Sequence, residues 1–238
     1  MFLRYGAYSF DLLRVIVMKA VLKFIKWAVI IFFASSVAAV VAFRFIPVPV
    51  TPLMVIRAIN PKGTDAEKEA ERHWKHDWVS YDEISKWMPR AVVATEDGRF
   101  YQHHGFDFKE IENAVKESQS GKRNRGASTI TQQTAKNLFL WPGHSWIRKG
   151  LEAYFTVLME LFWPKERIME VYLNSIEMGP GIYGVEAAAR HYFGCSAAQL
   201  TKRQAALIAL CLPNPLKRNP ANPTSYMRRR QSKILKYM

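Results

Sequence analysis

A chain of 238 residues is long enough for one well-buried domain with a short appendage, and nothing in that length requires a second domain. Its 34 basic against 20 acidic residues leave a net charge of +14, which points to an anionic partner: nucleic acid, phospholipid headgroups or a pyrophosphate-bearing substrate. Cys195 and Cys211 stand apart from any Cys-x-x-Cys pair, which argues against a zinc ribbon and leaves two small buried hydrophobes, with a disulfide open in an oxidising compartment.

Residues 27–43 carry no charge, and with residues 21–26 they reach the ~20 residues that cross a bilayer core. Lys23 and Lys26 would snorkel to one interface. Arg14, Lys19, Lys23 and Lys26 crowd the leading flank while only Arg44 and Arg57 follow, so the positive-inside rule keeps residues 1–20 in the cytoplasm and sends everything beyond the 21–45 signal-anchor outward. A cleaved signal peptide competes, since Ser36, Ala38 and Ala39 are small, but the apolar run exceeds the usual ~7–15 residues. The core helix of a soluble protein would show polar positions along one side.

Pro47, Pro49 and Pro52 then predict a stiff, extended connection, so residues 46–74 are expected to form a linker and membrane-proximal segment. Helix starts recur beyond it. Ser80 with Glu83, Asp107 with Glu110, Ser196 with Gln199 and Thr201 with Gln204 have capping-box spacing. Ile111, Ala114 and Val115, like Ala205, Leu207, Ile208 and Cys211, follow at helical spacing, so the fold is expected to be mainly α. Residues 118–127 are polar, basic and glycine-bearing, which predicts an exposed loop. Residues 177–184 hold three glycines and a proline, which predicts a turn where the backbone approaches something closely. Pro164 separates two helical patterns, 155–163 and 166–173, and suits the first turn of the second.

Chemistry concentrates in three places. In residues 96–107 a carboxylate at a helix end beside aromatic residues can have its pKa raised toward neutrality, as a general base requires, and Glu96 is the candidate. The alternative is a solvated Glu96 and Asp97 pair with Arg99 as its partner. Next, Thr129, Gln133, Lys136 and Asn137 share a polar helical face that could bind sugar hydroxyls or phosphate, or could be a capped surface. Arg148, Lys149 and Glu152 lie within one helical turn; they form either an exposed ion-pair face or a group that neutralises a pyrophosphate. Arg167, Glu170, Tyr172 and Asn174 continue the polar pattern in what reads as a structural role. His73, His76 and Asp77 have Trp74 and Trp78 among them and no third ligand at matching spacing, so no metal is expected there. Arg228, Arg229, Arg230, Lys233 and Lys236 suit a solvated or membrane-surface face rather than nucleic acid, because aromatic interleaving is sparse.

Taken together these segments resemble the peptidoglycan glycosyltransferase family, found as monofunctional enzymes and as polymerase domains of bifunctional penicillin-binding proteins. Glu96, Asp97, Phe100, His103 and Gly105 match its first motif, and Gly126, Ser128, Thr129, Thr131, Gln132 and Gln133 its second. Arg148, Lys149 and Glu152 match the third, and Lys165, Ile168, Glu170, Tyr172 and Asn174 the fourth. Residues 179–194 also look like the family's fifth region.

The resemblance implies a lysozyme-like, two-lobed glycosyltransferase domain over residues 75–220, preceded by the transmembrane helix and followed by a basic segment, 221–238. Residues 122–125 would belong to a mobile part. It implies Glu96 as general base, Glu152 orienting the donor, and Lys136, Arg148 and Lys149 on the phosphates. Thr129, Gln133 and Asn137 would line the cleft, and Asp97, Phe100, His103, Ser128, Glu170, Tyr172 and Asn174 complete the expected substrate-binding set. The implied reaction polymerises lipid II into linear β-1,4-linked glycan strands, releasing undecaprenyl pyrophosphate by an inverting single displacement. A divalent cation, magnesium or manganese, could share the phosphate work, although no dedicated protein site is visible. Implied partners are lipid II, the growing glycan chain, the membrane, and cell-wall synthesis or division proteins, but not nucleic acid. The Ser-x-x-Lys and Lys-Thr-Gly motifs of a transpeptidase are missing, so no penicillin-binding activity is expected. The competing functions are a lytic glycan-strand hydrolase on the same fold and a non-enzymatic membrane scaffold.

Overall fold

A helical stretch without charge at any angle has no polar face to turn to water, and residues 27–43 of the first helix have that character. The computed structural model describes residues 2–121, 126–143 and 145–238, so the basic run at 122–125, expected in a mobile part, lies outside the described residues. Helix α1 spans Phe2–Phe43, and its stretch Ile16–Phe43 is long and apolar enough to cross a membrane. Side chains such as Phe24 and Ile31 are more than half exposed, at 74% and 62%, which is not how the core helix of a soluble protein looks. The apolar stretch begins five residues before the expected boundary at 21, with Lys19, Lys23 and Lys26 in its first part.

The chain forms two compact units, Met1–Phe45 and Ile46–Met238. In the second, the expected linker contains two helices. Pro52 opens α2 (Pro52–Ile59) near its N-terminus, where its missing N–H costs nothing, and Thr51 caps it. Thr64 and Glu67 form a capping box on α3 (Asp65–Arg72). Arg57 of α2 reaches the Glu177 carboxylate at 3.3 Å, tying the segment to the rest of the unit.

Strand β1 (Lys75–His76) leads through a 3-10 turn at Tyr81–Glu83 into α4 (Trp87–Glu96), followed by α5 (Phe108–Gln119) and α6 (Ile130–Phe139). Then come α7 (Trp146–Phe162), α8 (Lys165–Ser175), β2 (Glu177–Gly179), β3 (Ile182–Tyr183), α9 (Val185–Phe193), α10 (Lys202–Cys211) and α11 (Ser225–Ile234). The unit is mainly α. Asp107 and Thr201 cap α5 and α10 as their spacing predicts. The Ser80 and Ser196 boxes each close only a 3-10 turn, because the backbone leaves helical conformation at Ile84 and Leu200. Pro164 sits at the N-cap of α8 rather than in its first turn.

Helix α8 is the centre of the core: Ile168, Met169, Val171, Tyr172, Leu173, Asn174 and Ser175 are all buried. It packs on α6, which also packs on α7, while α4 packs on α10 and α10 on α11. Ala94 of α4 lies against Ala206, Leu210 and Ile234, small and branched residues that let these helices approach.

The glycine-bearing segment forms a small sheet that the helical patterning does not foretell. Its order is β1-β3-β2, with β1 parallel and β2 antiparallel to β3. The close approach expected there is at Gly181, whose φ is +64° and where an added Cβ would stand 1.9 Å from the Ala70 carbonyl oxygen. Gly181→Ala should therefore cost at least ~2 kcal/mol, from left-handed strain plus a clash with main chain that cannot rotate away. Gly98, with no positive φ and open space at its Cβ, provides the control. Thermal unfolding should show a lowered midpoint for Gly181→Ala and an unchanged one for Gly98→Ala; equal midpoints would refute the contact.

Candidate functional site

Glu96 is the last residue of α4, where Asp97 takes the chain out of the helix. It is half-buried, and its Oε2 accepts a hydrogen bond from Gln133 Nε2 at 3.1 Å. Arg99 turns away from it, donating from Nε to Asp107 Oδ2 at 2.9 Å and from Nη2 to Asp107 Oδ1. The solvated Glu96, Asp97 and Arg99 cluster thus does not form. Burial raises the Glu96 carboxyl above its ordinary range; the Gln133 hydrogen bond, Arg218 and Lys136 act against burial, and the Asp97 charge adds to it.

Asp97 explains how Gln133 comes to be there. Its carboxylate lies 2.9 and 3.0 Å from His103 Nε2, and Oδ2 also accepts from the Ile130 backbone N–H at 3.0 Å. The end of α4 is thereby fastened to the start of α6, where free N–H groups favour an anion. Thr129 caps α6 and donates its hydroxyl to the Gly105 carbonyl at 2.6 Å. Phe100 is wholly buried under the Lys165 ammonium, 4.5 Å from its ring centre. The Asp97 carboxylate, His103 Nε2 and the Thr129 hydroxyl are thus turned to internal partners and the Phe100 ring is sealed in the core, while the buried His103 Nδ1 has no hydrogen-bond partner among the described residues. Ser128, just before the cap, is exposed.

The fourth motif divides in the same way. Glu170 pairs with Arg167 at 2.9 Å, and Asn174 binds both backbone groups of Val79. Tyr172, completely buried, donates to Gln133 Oε1 at 3.2 Å and so is the one member joined to Glu96 through a side chain. His76 Nε2 bonds the Asn174 carbonyl at 2.9 Å, which commits that nitrogen of the His73, His76 and Asp77 group.

Ser145 caps α7 so that Arg148 and Glu152, four residues apart, lie on one buried face. Glu152 accepts from Arg148 Nη1 at 3.0 Å and from the Lys149 ammonium. Lys136 of α6 lies within electrostatic reach of Glu152, Arg148, Lys149 and Glu96; burial lowers its pKa, the two carboxylates oppose that and the two cations add to it. Lys136, Asn137 and Arg148 line a cavity of about 250 Å³ together with Arg57 and Glu177. A larger cavity of about 850 Å³, beside Tyr81, Arg90 and Tyr101, contains none of these groups. Charges of both signs converge at Lys136 instead.

Arg57, Glu177 and Arg218 are absent from the sequence-based expectation. Arg218 had a readable signal, a cation inside the proline-bounded turn 213–220, but its approach to Glu96 comes only from folding. A divalent cation finds little to hold it here. Both oxygens of Glu152 face cations, and the described group with metal-like spacing, Asp97, His103 and Asp107, is consumed by internal pairing and by the Arg99 guanidinium. The residues present do not fit a magnesium or manganese cage.

Residues 63–238 match the family model described as Transglycosylase. A biosynthetic peptidoglycan transglycosylase of Bacteroides thetaiotaomicron is 56% identical over 94% of this chain and 89% of its own length. Proteins with the same description from Bdellovibrio bacteriovorus and Caulobacter vibrioides are 54% and 55% identical, over 90% and 84% of this chain and 84% and 83% of theirs. With the family model matching residues 63–238 and relatives more than half identical over most of its length, the chain belongs to the transglycosylase family.

Proposed function

We propose that this protein polymerises lipid II into peptidoglycan glycan strands, with Glu96 as the base and Lys136, Arg148 and Lys149 stabilising the leaving pyrophosphate. The observation that carries these roles is an asymmetry between two carboxylates. Glu96 is half-buried with an amide as its direct partner, whereas Glu152 is held by two cations. A sugar 4-hydroxyl attacks the anomeric carbon of an α-linked lipid pyrophosphate donor. As the new C–O bond forms, the bond to pyrophosphate breaks, Glu96 takes the hydroxyl proton, and the anomeric centre inverts. The pyrophosphate leaves as an anion, so cations rather than a proton donor lower the barrier. A hydrolase on this framework would need, besides its acid, a second carboxylate free to activate water or bond the sugar, and Glu152, with both oxygens held by Arg148 and Lys149, is poorly suited to that role.

Arg14, Lys19, Lys23 and Lys26, in the part of α1 that precedes the uncharged run 27–43, favour a cytoplasmic N-terminus and an outward-facing catalytic unit in the cytoplasmic membrane. Exposed Trp146 and Ile147, at 92% and 77%, suit the second unit to a lipid interface. The decisive experiment incubates the detergent-solubilised full chain with lipid II. Long glycan and released lipid pyrophosphate are expected; unaltered substrate would favour a scaffold, and shortening of finished cell-wall glycan would favour a hydrolase. Protease added outside intact spheroplasts should cleave beyond residue 45, and protection there would reverse the orientation.

A further inference from the structure

We propose that Tyr172 is a positioning residue for the reaction: through the Gln133 amide alone, its hydroxyl fixes which end of that amide faces Glu96 and so holds the carboxylate in its proton-accepting form. The inference rests on the reading of Glu96 as the base.

One side chain from each of three helices forms the relay. Tyr172 Oη of α8 donates to Gln133 Oε1 of α6 at 3.2 Å, and Gln133 Nε2 donates to Glu96 Oε2 of α4 at 3.1 Å. Tyr172 has no solvent exposure, and among the described residues its hydroxyl has no other hydrogen bond. An amide has one accepting and one donating end. With Glu96 ionised, the NH2 end faces the carboxylate, the carbonyl faces the phenol, and every group is paired. If Glu96 gained a proton and donated it to the amide carbonyl, the amide would have to turn over. Its NH2 would then face Tyr172 Oη, and the phenol's own proton would lose its acceptor inside the core. The tyrosine therefore opposes that turn.

The phenol remains a donor throughout. Burial raises its pKa well above the ordinary value, with the charges of Glu96 and Asp97 acting in the same direction. The other charged groups that bear on Glu96 are Arg218, from the turn after α10, and Lys136 of α6, which favour ionisation, and Asp97, which opposes it. All three remain when the phenol hydroxyl is removed, so the hydroxyl's effect can be read separately.

The test is the pH dependence of polymerisation by the full chain in detergent. Tyr172→Phe removes one oxygen from a buried ring. The acid limb of its rate profile should move up by ~0.5–1 pH unit, the size that one hydrogen bond can impose, while the rate on the alkaline plateau stays within a few fold. In a Gln133→Ala background the same substitution should move the limb no further, because the link is already cut. An unmoved acid limb with a uniformly lowered rate would make Tyr172 merely structural and overturn the proposal. A further shift in the Gln133→Ala background would overturn the relay. Near-normal polymerisation by Glu96→Gln would instead remove the base itself, a failure distinct from either result.

Discussion

Polymerisation by Glu96→Gln is expected to fall ~100- to ~10,000-fold, the range that a general base contributes. Glutamine keeps the size of the side chain and can still bond Gln133, but it cannot take the acceptor's proton. Because that proton moves only as the new bond forms, kcat and kcat/KM should fall together with little change in lipid II binding. Stability is the control, and its sign follows from the raised pKa of Glu96. Relative to the unfolded chain, a carboxyl shifted upward on folding adds stability below its ordinary range, and that contribution is lost as pH rises through the raised value. The ionised form of the half-buried Glu96 is therefore held at a cost, and the glutamine variant should unfold at the same temperature or slightly higher. A variant that unfolds early would point to damage rather than chemistry. One that builds long glycan at close to the normal rate would remove Glu96 from the mechanism.

Lys149→Ala should slow polymerisation ~30- to ~1,000-fold, equivalent to ~2–4 kcal/mol of lost stabilisation for the leaving pyrophosphate. Its side chain is 46% exposed, so the melting temperature should hardly change. Arg148→Ala should lose a similar amount of activity and should also lower the melting temperature. Arg148 is 7% exposed and bonds the buried Glu152, so among the described residues truncation leaves that carboxylate paired with the Lys149 ammonium alone. Removing one partner of a buried ion pair costs more than the pair contributes. Arg148→Lys, with its charge retained, should recover part of the stability but not the two-pronged reach of a guanidinium. Near-normal turnover by Lys149→Ala and by correctly folded Arg148→Lys would defeat the leaving-group role and leave the cluster a structural ion pair within the fold.

What was readable in the sequence was local. Asp107 and Thr201 announce their helices because a capping side chain bonds an N–H within the next turn, and Pro164 separates α7 from α8 because its ring permits no helix through it. The glycines of 177–184 rule out a helix, and the apolar run of α1 is visible from composition alone. Motif order also pointed to the family before any contact was known. The choice of partners was not local. Arg99 had Glu96 and Asp97 beside it in sequence but pairs with Asp107, and Asp97 is taken by His103 and by the start of α6, 33 residues away. Glu96 meets Gln133 across 37 residues, and Arg218 approaches it from beyond α10. The sheet, too, forms only when β1 and β3, more than a hundred residues apart, lie side by side. The sequence by itself thus determined the capped starts of α5 and α10, the break at Pro164, the apolar run of α1 and many of the residues that could carry chemistry, because those depend on bonds within one turn and on composition. Only the tertiary structure decided which carboxylate is spared a direct cation contact and which is clamped by two, because burial and pairing across helices set that difference.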